Sequence, residues 1–204
     1  MKTKNNNIRM DEFRSRRYGN GKKEIVIFFK DYPDSADGFA GYITGSGLLH
    51  EAVLCVDPRP KEKQSYDYAC VVKNNQHQKA VVFMEDTIFQ GLKNNNTPEL
   101  FILFHELGHY VYHPSAKEPA EAARYDMERQ NAIAAGTVIE DEQMADEIAA
   151  GYLGYNAAIE GLNWLLMDGE KRASTGLYDL ESAEISMKEI RLRIQILQEK
   201  AGCQ

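Results

Sequence analysis

Between Thr97 and Pro114 the chain holds a segment that has to become a helix and has to be buried. Thr97 suits an N-cap, Pro98 the first helical position, and Glu99 the positive end of the helix dipole. Pro114 disfavours helical geometry in the residue before it and lacks the backbone donor needed to continue, so the helix runs to about His113. Its first turns, Leu100 to Phe104, are apolar on every side, and a helix apolar all round belongs inside a core. The rest of the chain must supply the layers that cover it.

Upstream, four short β-rich runs are separated by Gly, Pro and Asn clusters: Ile25 to Phe29, Ala52 to Val56, Tyr66 to Val72 and Ala80 to Met84. The stretch Asp34 to Gly47 scatters four glycines and lacks the Lys-Ser or Lys-Thr ending of a phosphate-cradling loop, so it reads as a flexible loop. Downstream, helices are expected over roughly 118–135, 140–167 and 177–201. A length of 204 residues with 43% hydrophobic content suits one domain. The expected fold class is α+β: a small mixed β-sheet at 24–90, helices at 97–167 and an amphipathic C-terminal helix at 177–201, together one domain over 24–204. In the last helix Leu180, Ala183, Met187, Ile190, Ile194, Leu197 and Ala201 form a heptad seam that could self-associate. Ile185, Leu192 and Ile196 widen its apolar face, which favours docking on its own domain.

The formal charge of −7 is unevenly distributed. Residues 1–23 hold eight Lys and Arg against Asp11 and Glu12, with no aromatic interleaving beyond Phe13 and Tyr18, and read as a flexible, solvated arm rather than a nucleic-acid contact. Met1 to Asn7 is polar, and no apolar run approaches the roughly 18 residues of a membrane span, so a cytoplasmic location without membrane contact is expected. Cys55, Cys70 and Cys203 are three, without CxxC spacing, which fits a reducing compartment and argues against a disulfide framework or a thiolate metal site.

The chemistry concentrates in His105-Glu106-Leu107-Gly108-His109. Two histidines four apart on a helix project from one face and can reach one ion. Glu106 stands about 100° round from His105, where it can reach a water beside the ion without binding the ion itself, the position of a general base. Two surface histidines would need no partner, but a buried His-Glu-His cluster does, and Gly108 is expected to leave room beside the ion. His113 lies about 12 Å along the axis from His105, too far to share the ion, and is assigned a supporting or capping role. The longer motif with Gly three and His six residues after the second His is not met, because Tyr112 and Ser115 stand there.

A catalytic zinc needs a third protein ligand and an open position. Glu142 is favoured, with Asp146 one turn on to accept a hydrogen bond from the outer nitrogen of a zinc-bound His; Glu128 is the rival, and the alternative remains that Glu140 to Glu147 is only a solvated acidic face. Ala145, Ala149 and Ala150 would let this helix pack closely on the first. Tyr110, Tyr112, Tyr125, Tyr152 and Tyr155 are candidates for an oxyanion donor, and Ala80 to Met84 is the candidate strand for holding a substrate edge-on.

Taken with Tyr110-Val111-Tyr112-His113 and the downstream Glu142-x-x-Ala145-Asp146-x-x-Ala149-Ala150, the His-Glu-Leu-Gly-His string resembles the ImmA/IrrE family of zinc metallopeptidases over roughly residues 97–155. The resemblance implies a zincin-like α+β fold, zinc bound by His105, His109 and Glu142, Glu106 as catalytic base, and cleavage of helix-turn-helix transcriptional repressors. The expected function is thus a zinc-dependent endopeptidase acting on a protein or peptide. A regulatory binding module with a structural zinc is the alternative, although such a site has no need of Glu106.

Overall fold

The computed structural model describes residues 13–19, 24–30, 41–45, 51–57, 68–74, 79–112, 119–176 and 180–203. Among them the chain runs through six strands and then six helices, a mixed α+β arrangement with its sheet in the N-terminal half. The strands are β1 (Phe13–Gly19), β2 (Glu24–Lys30), β3 (Gly41–Gly45), β4 (Glu51–Val56), β5 (Ala69–Asn74) and β6 (Lys79–Met84); the helices are α1 (Asp86–Asn94), α2 (Thr97–Tyr112), α3 (Pro119–Ala134), α4 (Glu140–Leu153), α5 (Tyr155–Ser174) and α6 (Leu180–Gly202).

The sheet has the order β1-β2-β3-β4-β6-β5. Its neighbours are antiparallel except β4 and β6, which run parallel. Ala52 lies opposite Ala80 and Leu54 opposite Val82, and on the other side of β6 Met84 lies opposite Ala69. Because side chains alternate along a strand, this register lines Ile25, Ile27, Ala52, Leu54, Ala80, Val82 and Met84 along one face, all buried. They form one core with Phe101 and Phe104 of α2. The all-round apolar start of α2 is accounted for: its first turns lie within that core while α4 and α5 close over it from other sides.

Several sequence expectations are corrected. The basic segment 1–23 is not wholly an arm, because Phe13–Gly19 pairs with β2 as β1; residues 1–12 and 20–23 lie outside the described residues. The cationic side chain that suggested solvation is used internally. Arg16 donates to the carbonyls of Leu92 and Lys93 at the C-terminal end of α1, where helical carbonyls lack intrahelical donors. Tyr18 meets the Phe104 ring edge-on, centroids 5.4 Å apart. Within the stretch expected to be a loop, Gly41–Gly45 is strand β3, its Tyr-Ile-Thr core bridging β2 and β4. The segment after Met84 is not sheet but α1, which buries Ile88, Phe89 and Leu92 and stops at Asn95 in a left-handed conformation, φ 64°.

The helix expected over 140–167 is two helices. Gly154, at φ 90° and ψ 151°, turns the chain between α4 and α5, a conformation open to glycine and strained for other residues. α6 lies along α5; Ala183, Ile194 and Leu197 of the seam are buried, while Leu180 stays exposed. No helix among the described residues is long and apolar enough to cross a membrane.

Candidate metal centre

The site forms where α2 crosses α4. Small residues set their separation: a Cβ on Gly108 would lie 2.7 Å from the Cα of Ala145 and 2.8 Å from its carbonyl oxygen. Gly108 therefore does not open space beside an ion, as its place in the motif suggested. It lets the backbone of α4 approach, and that approach brings Glu142 to the two histidines.

His105, His109 and Glu142 converge, with ligand-type atoms from all three within 4.8 Å of one another. The Nε2 atoms of the histidines are 3.0 Å apart; Glu142 Oε2 lies 3.3 Å from His105 Nε2, and Glu142 Oε1 lies 3.6 Å from His109 Nε2. Tetrahedral ligands about 2.1 Å from an ion sit about 3.4 Å from one another, so these spacings fit a small cation held between them. The chemistry of the donors fits as well: two imidazoles and a carboxylate are metal-ligating types, and they meet at one largely buried point. This buried His-His-Glu group can hold a metal ion.

Asp146 is 2% exposed and sits where the helical spacing expected it. Its Oδ1 is 2.8 Å from His105 Nδ1, which leaves His105 Nε2 turned towards His109 and Glu142. Glu106 projects beside the triad rather than into it, and its Oε2 accepts the Val71 N–H of β5 at 3.1 Å. Burial pushes the Glu106 carboxyl up to about 7, against the pull of His105 and with the push of Glu142. The histidines split in opposite directions. Burial drives His109 down, and the adjoining His105 adds to the effect. Burial and Arg193 also press on His105, but hydrogen bonds with Asp146 and Glu142 outweigh them and raise it. Against the cost of burial, Arg193 and His105 hold Glu142 and Asp146 ionised, below the usual carboxylate range.

Glu128 is exposed on α3, where it pairs with Arg124 at 3.5 Å, and is not among the converging groups. His113 lies outside the described residues. Of the tyrosines singled out, Tyr125 donates to Glu142 Oε1 at 2.6 Å, Tyr112 donates to Glu140, and Tyr152 stacks on Phe104. The strand Ala80 to Met84 is not a free edge, because β6 is flanked by β4 and β5. The edge nearest the site is β5, whose Val71 N–H points off the sheet towards Glu106.

Sequence reasoning missed Arg193. Its Nε is 2.8 Å from Asp146 Oδ2, its Nη2 is 2.6 Å from Asp146 Oδ1 and 3.1 Å from His105 Nδ1, and its Nη1 is 3.1 Å from Glu142 Oε2. One turn earlier on α6, Glu189 is 1% exposed and accepts Arg129 of α3, 2.9 Å from Nε to Oε1. The available signal was a Glu/Arg pair four apart on an amphipathic helix, which reads equally as a solvated flank.

No family model, curated protein or solved structure matches the chain.

Proposed function

We propose that the chain is a zinc-dependent endopeptidase with a zincin-like fold, its site similar to that of the ImmA/IrrE family. The observation that carries this reading is the convergence of His105, His109 and Glu142 at coordination spacing with Glu106 immediately beside them. His105, His109 and Glu142 would hold the ion. Two nitrogens, one carboxylate and an open position are the donor set zinc takes in hydrolytic sites. When bound, zinc supplies Lewis acidity towards a carbonyl oxygen and makes a water more acidic.

The remaining work falls to the chain's own residues. The Glu106 carboxylate takes a proton from the attacking water and returns it to the nitrogen of the leaving amine. Asp146 keeps the His105 ring in the orientation that presents Nε2. An extended peptide would lie along the β5 edge, where Ala69, Val71 and Lys73 turn their backbone groups the same way by strand alternation. A protein segment in extended conformation is thus the substrate class; a helix-turn-helix repressor is the identity that the family resemblance adds.

The test uses labelled casein as a general unfolded substrate. Glu106→Gln should lower hydrolysis by about 10²–10⁴-fold, the range general-base catalysis contributes, while the protein still binds zinc as the unsubstituted chain does. Hydrolysis at the original rate would remove Glu106 from the chemistry. Loss of zinc with Glu106→Gln would make it a ligand instead of a base.

A further inference from the structure

The C-terminal helix carries into the metal centre a charged side chain to which the proposed chemistry gives no role. Arg193 is 7% exposed, and each of its guanidinium nitrogens has a carboxylate partner: Nε and Nη2 reach the two oxygens of Asp146 at 2.8 and 2.6 Å, and Nη1 reaches Glu142 Oε2 at 3.1 Å. One side chain thereby bridges the carboxylate that orients His105 and the carboxylate that completes the triad. We infer that Arg193 is a positioning residue of the metal centre, whose planar fork fixes Asp146 and Glu142 relative to each other and makes α6 part of the site. This rests on the reading of His105, His109 and Glu142 as metal ligands.

Two effects of opposite sign meet at this residue. As a positive charge, Arg193 opposes a cation and competes with it for Glu142, so its removal would tighten metal binding. As a rigid fork, it holds two carboxylates that must already be in place when the cation arrives, so its removal would loosen binding. The charge is offset by Asp146 in direct contact, whereas Glu189 one turn away is already paired with Arg129. The geometric effect is the one the contacts favour, because a single guanidinium reaches both oxygens of Asp146 and Oε2 of Glu142 at once. A lysine keeps the charge but offers a single point rather than a fork.

The helix is anchored for this role at a second place. Glu189 is clamped by Arg129 of α3, with 2.9 and 3.0 Å contacts from Nε, and α3 also contributes the Tyr125 hydroxyl to Glu142. Glu142 is thus held by Arg193 from α6 and by Tyr125 from α3, leaving little freedom for its carboxylate to turn away from the histidines.

The experiment measures Zn²⁺ affinity by competition with a chromogenic chelator, and the visible absorption of the Co²⁺-substituted protein, in the full-length chain and three variants. Arg193→Lys is expected to weaken Zn²⁺ binding about tenfold and Arg193→Met up to about 100-fold, the range for groups that support metal ligands. Both should change the Co²⁺ bands, which report ligand geometry. Ile194→Ala, truncating the next residue of α6 in the hydrophobic core, should lower the melting temperature and leave affinity and bands unchanged. Arg193→Lys keeps the buried positive charge and is the deciding variant, with its fold checked by circular dichroism. Wild-type affinity and bands in Arg193→Lys, or tighter binding in Arg193→Met, would overturn the inference. Equal disturbance by Ile194→Ala would reduce Arg193 to general packing and overturn it too. Absence of Zn²⁺ binding by the unsubstituted protein would defeat the metal-ligand reading beneath it, whereas normal binding with an indifferent Arg193→Lys defeats this inference alone.

Discussion

Arg172 and Arg193 are both sequestered arginines that bridge two carboxylates, yet their surroundings do different things. Arg172 of α5 sends Nη1 and Nη2 to the two oxygens of Glu85, each at 3.1 Å, and Nε to Asp168. Its guanidinium also lies 4.3 Å from the centre of the Tyr68 ring, and Glu85 accepts the Tyr68 N–H. The cluster joins α5 to the β6–α1 junction as a staple. Around Arg193 the carboxylates are also gripped, but Glu142 lies beside two imidazole nitrogens, its oxygens 3.3 Å from His105 Nε2 and 3.6 Å from His109 Nε2, at the spacing of ligands to one ion. Buried charge does not by itself mark a candidate site; metal-ligating side chains that converge at coordination spacing do.

The largest expected effect that sharpens this contrast is on the staple. Arg172→Met removes the guanidinium that Glu85 and Asp168, 14% and 21% exposed, share. It should cost about 3 kcal/mol of stability in a denaturant titration, because a largely buried carboxylate loses its partner, and it should leave zinc content unchanged. Loss of zinc in that variant would erase the distinction between the two clusters. A smaller effect is expected from Gly108→Ala, which drives a methyl group into the backbone of α4 at Ala145. Overpacking of this kind costs about 1–3 kcal/mol, and because the α2–α4 separation sets the Glu142–histidine distances, zinc binding should weaken as well. A destabilised Gly108→Ala protein with unaltered zinc affinity would show that the triad does not depend on the helix crossing.

Much of this was legible in the sequence, for reasons that differ by element. α2 could be read because its apolar residues leave no polar face and prolines stand near both ends, a pattern with one physical solution. His105, Glu106 and His109 were picked out by the His-Glu-x-x-His string on a buried helix, with periodicity placing the histidines on one face, and Glu142 was favoured over Glu128 as an acidic residue four before Asp146 on a helix with small residues at Ala145, Ala149 and Ala150. β1 was hidden because arginines look solvated unless the carbonyls they cap are known, and those of Leu92 and Lys93 come from another element. Glycines at both ends of β3 masked the alternation within it. The break at Gly154 depends on a backbone conformation that a glycine permits and does not announce. Arg193 was least legible: whether a Glu/Arg pair on an amphipathic helix meets water or buried carboxylates is decided by packing across elements, here between α6 and α4.

The most direct test of the central claim is zinc per chain by elemental analysis, on the unsubstituted protein and on the Glu142→Ala and Glu128→Ala variants. The account predicts about one zinc per chain in the unsubstituted protein and in Glu128→Ala, as one site with three protein ligands requires, and loss of zinc in Glu142→Ala. Zinc retained by Glu142→Ala, or absent from the unsubstituted protein, would contradict it.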